Sequence, residues 1–219
     1  MKSIYIVFSA TPGKMGRFIR TVLHGQYNHV SLAFDEDLST MYTFARFHVN
    51  TPLYGGFVRE SLRRYVRRGK PADLKICRLT IPEDTHQQLY DWVNAMEDRN
   101  QQYIYNIYSA VFAPLHIRLL IRDSYTCAEF VGDALSVTDL NIPKGKFHSL
   151  KELERILDPY TIYDGSCTLY TDLPDWGEDH FPEKLSRLSG TAATARSIGR
   201  LTVRGVLGMF AAILYHMNL

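Results

Sequence analysis

Thr126-Cys127-Ala128-Glu129 is the stretch that most restricts how this chain can fold. Thr126 and Glu129 stand at the spacing of a capping box, which starts a helix and puts Cys127 in its first turn. Unpaired backbone N–H groups and the helix macrodipole favour negative charge there, so the sulfur is a candidate nucleophile. Phe130, Val131, Ala134 and Leu135 follow Cys127 at i+3, i+4, i+7 and i+8, which turns the thiol toward whatever the helix packs against. Cysteine is also a small apolar residue that packs readily inside helices, so the motif needs a partner before it implies chemistry.

Composition narrows the alternatives. With 219 residues and 46% hydrophobic content, the chain can bury one substantial core and carry an appendage. A formal net charge of +2, with no base-reading motif among the basic residues, gives no reason to expect nucleic acid. The three cysteines, Cys77, Cys127 and Cys167, leave at least one unpaired and lack metal-ligand spacing, so neither a disulfide framework nor a metal site is expected, and a reducing, cytoplasmic location fits best. Gly13-Lys14 lacks the second glycine and the following Ser or Thr of a phosphate-binding loop, and no cofactor is expected. The apolar run Ile4 to Ala10 is too brief for a secretion signal and reads as a first, central strand.

Further elements follow from periodicity. Phe18, Ile19, Val22 and Leu23 share one helical face that closes at Gly25. Asn28 to Phe34 and about Met41 to Phe47 read as two strands of a hairpin around Asp35-Glu36-Asp37. Tyr54-Gly55-Gly56-Phe57 turns into another strand, and Leu74 to Ile81 forms one more. Between those two lie Arg59, Arg63, Arg64, Arg67, Arg68 and Lys70, read as a solvated helix face, with an acidic partner or anionic lipid as the other reading. Leu89, Trp92, Val93 and Met96 mark an amphipathic helix, and Ser149 with Glu152 marks a second capping box, ahead of Leu150, Leu153, Ile156 and Leu157.

A cysteine nucleophile needs a base within hydrogen-bond reach, usually histidine. Of eight histidines, His24, His86, His116, His148, His180 and His216 occupy helix ends, loops or the tail and read as ordinary surface positions. His29 opens an apolar strand, where a polar ring persists only if its nitrogens are satisfied.

Tyr27-Asn28-His29-Val30-Ser31-Leu32, followed much later by Tyr125-Thr126-Cys127-Ala128-Glu129-Phe130-Val131, resembles the circularly permuted branch of the papain-like thiol hydrolases. NlpC-type cell-wall peptidases and the lecithin:retinol acyltransferase group are relatives of this kind. The resemblance covers roughly Ile4 to Tyr170. It implies an α+β fold, in which a small antiparallel sheet carries His29 and packs against the helix presenting Cys127. It also implies acylation of the thiol by an amide or ester. Such enzymes use a third polar residue to orient the imidazole. Met41, twelve residues beyond His29, cannot do this; Thr43 on the neighbouring strand is preferred over Glu60, which follows the Gly-Gly turn, although strand propensity alone also accounts for a threonine. An oxyanion hole is expected from the Cys127 backbone N–H. Tyr105 resembles the tyrosine that supplements it in NlpC-type enzymes, while aromatic core packing competes for that residue.

A domain of residues 1–171 and a linker plus apolar helical tail over 172–219 complete the expectation. Gly205 to Leu219 carries no formal charge and follows Arg196, Arg200 and Arg204; its fifteen residues fall short of the ~20 that span a bilayer. Docking, self-association and a peripheral membrane contact all stay open. The leading expectation is amide hydrolysis of a peptide, with lipid acyl transfer or thioesterase-like chemistry at a membrane surface as the second. A binding or scaffold module on the same fold is the third.

Overall fold

The computed structural model describes residues 1–11, 16–17, 20–21, 25–67, 70–170, 181 and 183–217. The expected helix face of Phe18, Ile19, Val22 and Leu23 lies outside the described residues, as do His24 and His180. The first half of the chain supplies β1 (Lys2–Ser9), β2 (His29–Ala33), β3 (Met41–Arg46), β4 (Gly55–Glu60), the two-residue strands β5 (Val66–Arg67) and β6 (Lys70–Pro71), and β7 (Asp73–Ile81). Helix α1 (Glu83–Glu97) is followed by β8 (Ile104–Tyr105), α2 (Ile107–Phe112), β9 (Ser124–Tyr125) and α3 (Cys127–Leu135). Then come α4 (Leu150–Leu157), β10 (Thr161–Ser166), α5 (Cys167–Tyr170) and α6 (Arg187–Met217).

Six strands form one antiparallel sheet in the order β10-β7-β1-β2-β3-β4, with β1 near its centre as the unbroken apolar run requires. Alternation along β1 divides the core. Ile4, Ile6 and Phe8 face α1 and α3, whereas Tyr5 and Val7 face Leu62, Tyr65, Leu74 and Ile76. Trp92 of α1 stacks on Phe130 of α3 at 5.3 Å between ring centroids, and Phe130 also meets Phe44 and Phe57, so aromatic contacts tie both helices to the sheet. A short parallel pair, β8 with β9, brings Tyr105 beside Tyr125, immediately before the Cys127 helix.

Three expectations need correction. The basic stretch is not a solvated helix among the described residues: Arg59 lies on β4, Arg63 and Arg64 in a 3₁₀ turn at Leu62–Tyr65, and Arg67 and Lys70 on the paired strands β5 and β6, while Arg68 lies outside the described residues; Arg64 is buried against Glu60 because a carboxylate inside the fold requires a cation. His148 is buried rather than superficial, with its ring against Gly132 of α3. Ser149 accepts a hydrogen bond from the Glu152 N–H at 3.1 Å, as a cap should, but the Glu152 carboxylate lies 3.6 Å from His148 Nδ1 instead of completing a box.

The apolar tail is the end of a 31-residue helix, α6, long and apolar enough to cross a membrane by length and composition. Its first half returns to the body. Gly190, Ser197 and Leu201 are buried, Arg200 donates to the Gln101 carbonyl at 3.2 Å, and Arg204 donates to the Gln102 carbonyl at 2.8 Å. Ahead of it, the Phe181 ring lies 4.5 Å from the Arg64 guanidinium, so this segment covers the sheet edge beside Glu60.

Candidate active site

His29 stands at the start of β2, opposite Ser9 of β1. On its other side β2 pairs with β3 only through Leu32 and Ala33, so the strands part toward His29. Thr43 fills that gap: its hydroxyl donates to the Val30 carbonyl at 2.8 Å, replacing a ladder bond that the parted strands do not make. The sequence-based preference for Thr43 as the imidazole's partner gives way to Glu60, whose carboxylate is what lies against His29 Nε2, while the Thr43 hydroxyl serves the Val30 carbonyl.

Glu60 is the residue that meets the imidazole. Along β4 the side chains alternate, leaving Arg59 outside and Glu60 inside, and the β3–β4 register sets Glu60 opposite Met41. Its carboxylate oxygens lie 3.1 and 3.2 Å from His29 Nε2. Ser31 and Tyr65 both donate hydroxyl bonds to Oε1, and Arg64 forms an ion pair with Oε2 at 3.2 Å. Five groups thus share a site from which water is almost excluded, and each polar atom of the carboxylate has a partner.

The electrostatics follow from this arrangement. Burial alone would push the Glu60 carboxyl up, but His29 and Arg64 hold it down at about 2. Burial alone would push the His29 ring down, but the Glu60 charge, with hydrogen bonds to Cys127 and Glu60, lifts it to about 9. The imidazole is consequently a cation at neutral pH, pinned through Nε2. Cys127 is near enough to add to this rise, because the helix it opens packs against β2.

Cys127 opens α3 as the capping box requires. Thr126 Oγ1 accepts from the Glu129 N–H at 3.2 Å, and Glu129 Oε2 accepts from the Thr126 N–H at 2.7 Å. Of the four orphan amides at this helix start the box satisfies the first and last, leaving the N–H groups of Cys127 and Ala128 without an intrahelical acceptor. Tyr105 lies close enough that burial first, then the charges of Cys127 and Glu129, push its hydroxyl far up, which keeps it a proton donor at neutral pH. It also packs against the core cluster, as the packing reading expects.

Every residue of α3 is buried, including two carboxylates one turn apart, and such a helix demands a cation. Arg118 supplies it, forked onto Asp133 at 2.7 and 2.8 Å and standing 3.7 Å from Glu129. Sequence reasoning missed Arg118, although Glu129 and Asp133 in an otherwise apolar helix were a signal for it. Cys127 and His29 are 7% and 8% exposed, so both side chains are almost closed off from solvent. The cleft between β4 and α6, lined by Tyr54, Arg59, Tyr103 and Arg196 among others, does not include either residue. Cys77 and Cys167 are free thiols with no exposure at all. Among the described residues, no group of three or more His, Cys, Asp or Glu side chains could hold a metal ion.

No family model matches the chain, and no match was found among curated proteins or solved structures.

Proposed function

We propose that this chain is a cysteine-dependent hydrolase of the permuted papain-like type, acting on an amide bond through an acyl-enzyme. One observation carries the reading: the helix that opens with Cys127 packs against the strand that opens with His29, and the His29 ring is held by the buried carboxylate of Glu60. A nucleophile, a proton carrier and an orienting anion in that order are the parts that acyl transfer requires. Attack proceeds from the form in which His29 holds a proton and the sulfur has given up its own. The sulfur attacks the carbonyl carbon, and the developing oxyanion is met by the orphan N–H of Cys127 and by the Tyr105 hydroxyl. The imidazolium then protonates the leaving amine, the C–N bond breaks, and the acyl group remains on sulfur. Water gives a proton to His29 and its hydroxide to the acyl carbon, releasing the acid and restoring the pair. The three separate buried thiols suit a reducing, cytoplasmic setting.

A second reading has an observation of its own. The exposed apolar half of α6 favours lipid esters, with acyl transfer or thioester-like cleavage by the same residues, over soluble peptides.

Iodoacetamide at neutral pH separates catalysis from a scaffold role. Cys127 is expected to be alkylated selectively, faster than a free thiol, and to lose that selectivity in His29→Ala. Intact mass after exposure to p-nitrophenyl acetate or a peptide anilide should show one acyl group on Cys127, and which of the two acylates faster ranks ester against amide. Equal labelling of all three cysteines would remove the catalytic reading.

A further inference from the structure

We infer that one surface of this protein, formed by the distal half of α6 and the 111–120 segment beside it, is built to enter an anionic phospholipid bilayer. The inference does not depend on Cys127 turning over.

From Gly205 to Leu214 every side chain is apolar or absent, and Val206 to Tyr215 are all exposed, Leu207 by 62%. An amphipathic helix would leave a polar face in water while one apolar stripe docked on protein. This segment has no polar face. A single protein surface would cover one side of it and leave the other in water, whereas a hydrocarbon phase covers all sides at once. Gly205 to Met217 is about 20 Å long at ~1.5 Å per residue, which carries the helix well past the headgroup layer.

The second element is independent of the first in sequence. Val111, Phe112, Leu115, Ile117 and Leu120 are exposed, Leu120 by 74%. They are held in place: Asn106 Nδ2 donates to the Leu119 carbonyl at 2.8 Å, the Leu119 N–H donates to Ser109 Oγ at 2.9 Å, and Arg118 is forked onto Asp133 of α3. A segment stapled this firmly displays its apolar side chains as a fixed surface. It adjoins the point where α6 leaves the body. Tyr108 OH lies 2.7 Å from Thr202 Oγ1, Arg204 reaches the Arg122 carbonyl at 3.5 Å, and a Cβ placed on Gly205 would stand 3.4 Å from the Ile121 side chain.

Arginines ring that exit. Arg200 and Arg204 are fixed by carbonyls at the base of the exposed helix, and Arg122 is almost fully exposed beside them. Guanidinium groups at the level where an apolar segment enters the membrane match phosphate headgroups, and favour anionic ones. The 111–120 segment is tied through Arg118 to Asp133 of α3, so two-point contact would set the body against the bilayer in one orientation.

Flotation of the full chain with phosphatidylcholine vesicles, with and without phosphatidylglycerol, tests this. The wild type is expected to float with anionic vesicles and to bind neutral ones more weakly. Leu207→Glu with Phe210→Glu should abolish flotation. Leu115→Glu with Leu120→Glu should lower partitioning by roughly tenfold or more, since charged side chains resist burial in the bilayer. A tryptophan placed by Leu120→Trp should be quenched by brominated lipid. All these positions are exposed, so unchanged thermal unfolding and near-UV circular dichroism establish that the variants are folded. Cys127→Ser should float like the wild type, which keeps this result separate from that of the catalytic proposal. Failure of the wild type to float overturns the inference. So does a discrete oligomer that ignores vesicles and becomes monomeric in the Leu207→Glu, Phe210→Glu variant. Normal flotation of the Leu115→Glu, Leu120→Glu variant, or an unquenched tryptophan, overturns the role of the 111–120 segment.

Discussion

Cys127 and Cys77 belong to the same hydrophobic core cluster, yet their surroundings prepare opposite chemistry. Cys77 lies mid-strand in β7, burial pushes its thiol up to about 11, and its nearest polar partner is the Thr161 hydroxyl at 3.8 Å. Cys127 sits at a helix start, against an imidazole that a buried carboxylate keeps charged. Burial is common to both. The difference is the imidazolium that β2 and β4 hold near Cys127, whereas at Cys77 the influence of the Lys75 ammonium is outweighed by burial.

The comparison breaks most directly at the sulfurs themselves. Cys127→Ala is expected to abolish acyl-enzyme formation and reduce turnover by ~10⁴-fold or more, because the members of a nucleophile–base unit fail together. Cys77→Ala should keep turnover within about twofold and cost ~1 kcal/mol of stability by opening a small void. Intact mass after acylation and denaturant titration read the two effects. Acylation of the Cys127→Ala protein at Cys77 would erase the distinction.

Glu60→Gln tests the source of the cation. Without the negative charge the imidazole loses its largest positive influence, and turnover should fall by about 10²-fold, with the alkaline limb of the rate profile moving down from about 9. The sign follows from the acid role proposed for His29: if turnover needs its proton, activity declines as pH rises through the pKa.

The same pair makes stability depend on pH. His29 is raised from 6.5 to about 9 by folding, so its contribution is complete below about 6.5 and disappears as pH rises through about 9. Glu60 is lowered from 4.5 to about 2, so its contribution is complete above about 4.5 and disappears as pH falls toward about 2. The attraction between His29 and Glu60 is the largest favourable cause of both shifts, of order 3 kcal/mol and counted once. It stabilises most between about 4.5 and 6.5. Thermal unfolding from pH 5 to pH 9 should show the midpoint falling in the wild type and flattening in Glu60→Gln. An equal fall in both would mean that the pair is not coupled.

How much of this could be read from the chain depended on the range of each signal. The capping box at Thr126 and Glu129 is a three-residue pattern, and it formed with both of its hydrogen bonds. The apolar run of β1 announced a central strand, and the hairpin of β2 and β3 was legible from alternation around an acidic turn. The partner of His29 was not, because it depends on register: Glu60 is two strands away in the sheet and enters the site where β2 and β3 separate. Arg64 was hidden for a related reason, since a run of basic residues reads as solvated until a buried carboxylate is located beside one of them. Tail length was underread because Arg196, Arg200 and Arg204 interrupt the apolar pattern, while the helix itself continues through them from Arg187.

The smallest expected effect concerns Thr43, and it separates a packing role from a catalytic one most cleanly. Its hydroxyl serves the Val30 carbonyl, so Thr43→Val leaves one buried acceptor unpaired where the strands diverge and should cost about 1 kcal/mol in urea titration. His29 keeps its bonds to Glu60, so turnover at saturating substrate should change by less than about twofold and the alkaline limb should not move. Ser31→Ala is the contrasting change, because that hydroxyl donates to Glu60 itself. Removing it leaves the carboxylate less stabilised as an anion and should shift the alkaline limb measurably. If Thr43→Val moved the limb while Ser31→Ala did not, the orienting role would belong to β3 rather than to the carboxylate beyond it.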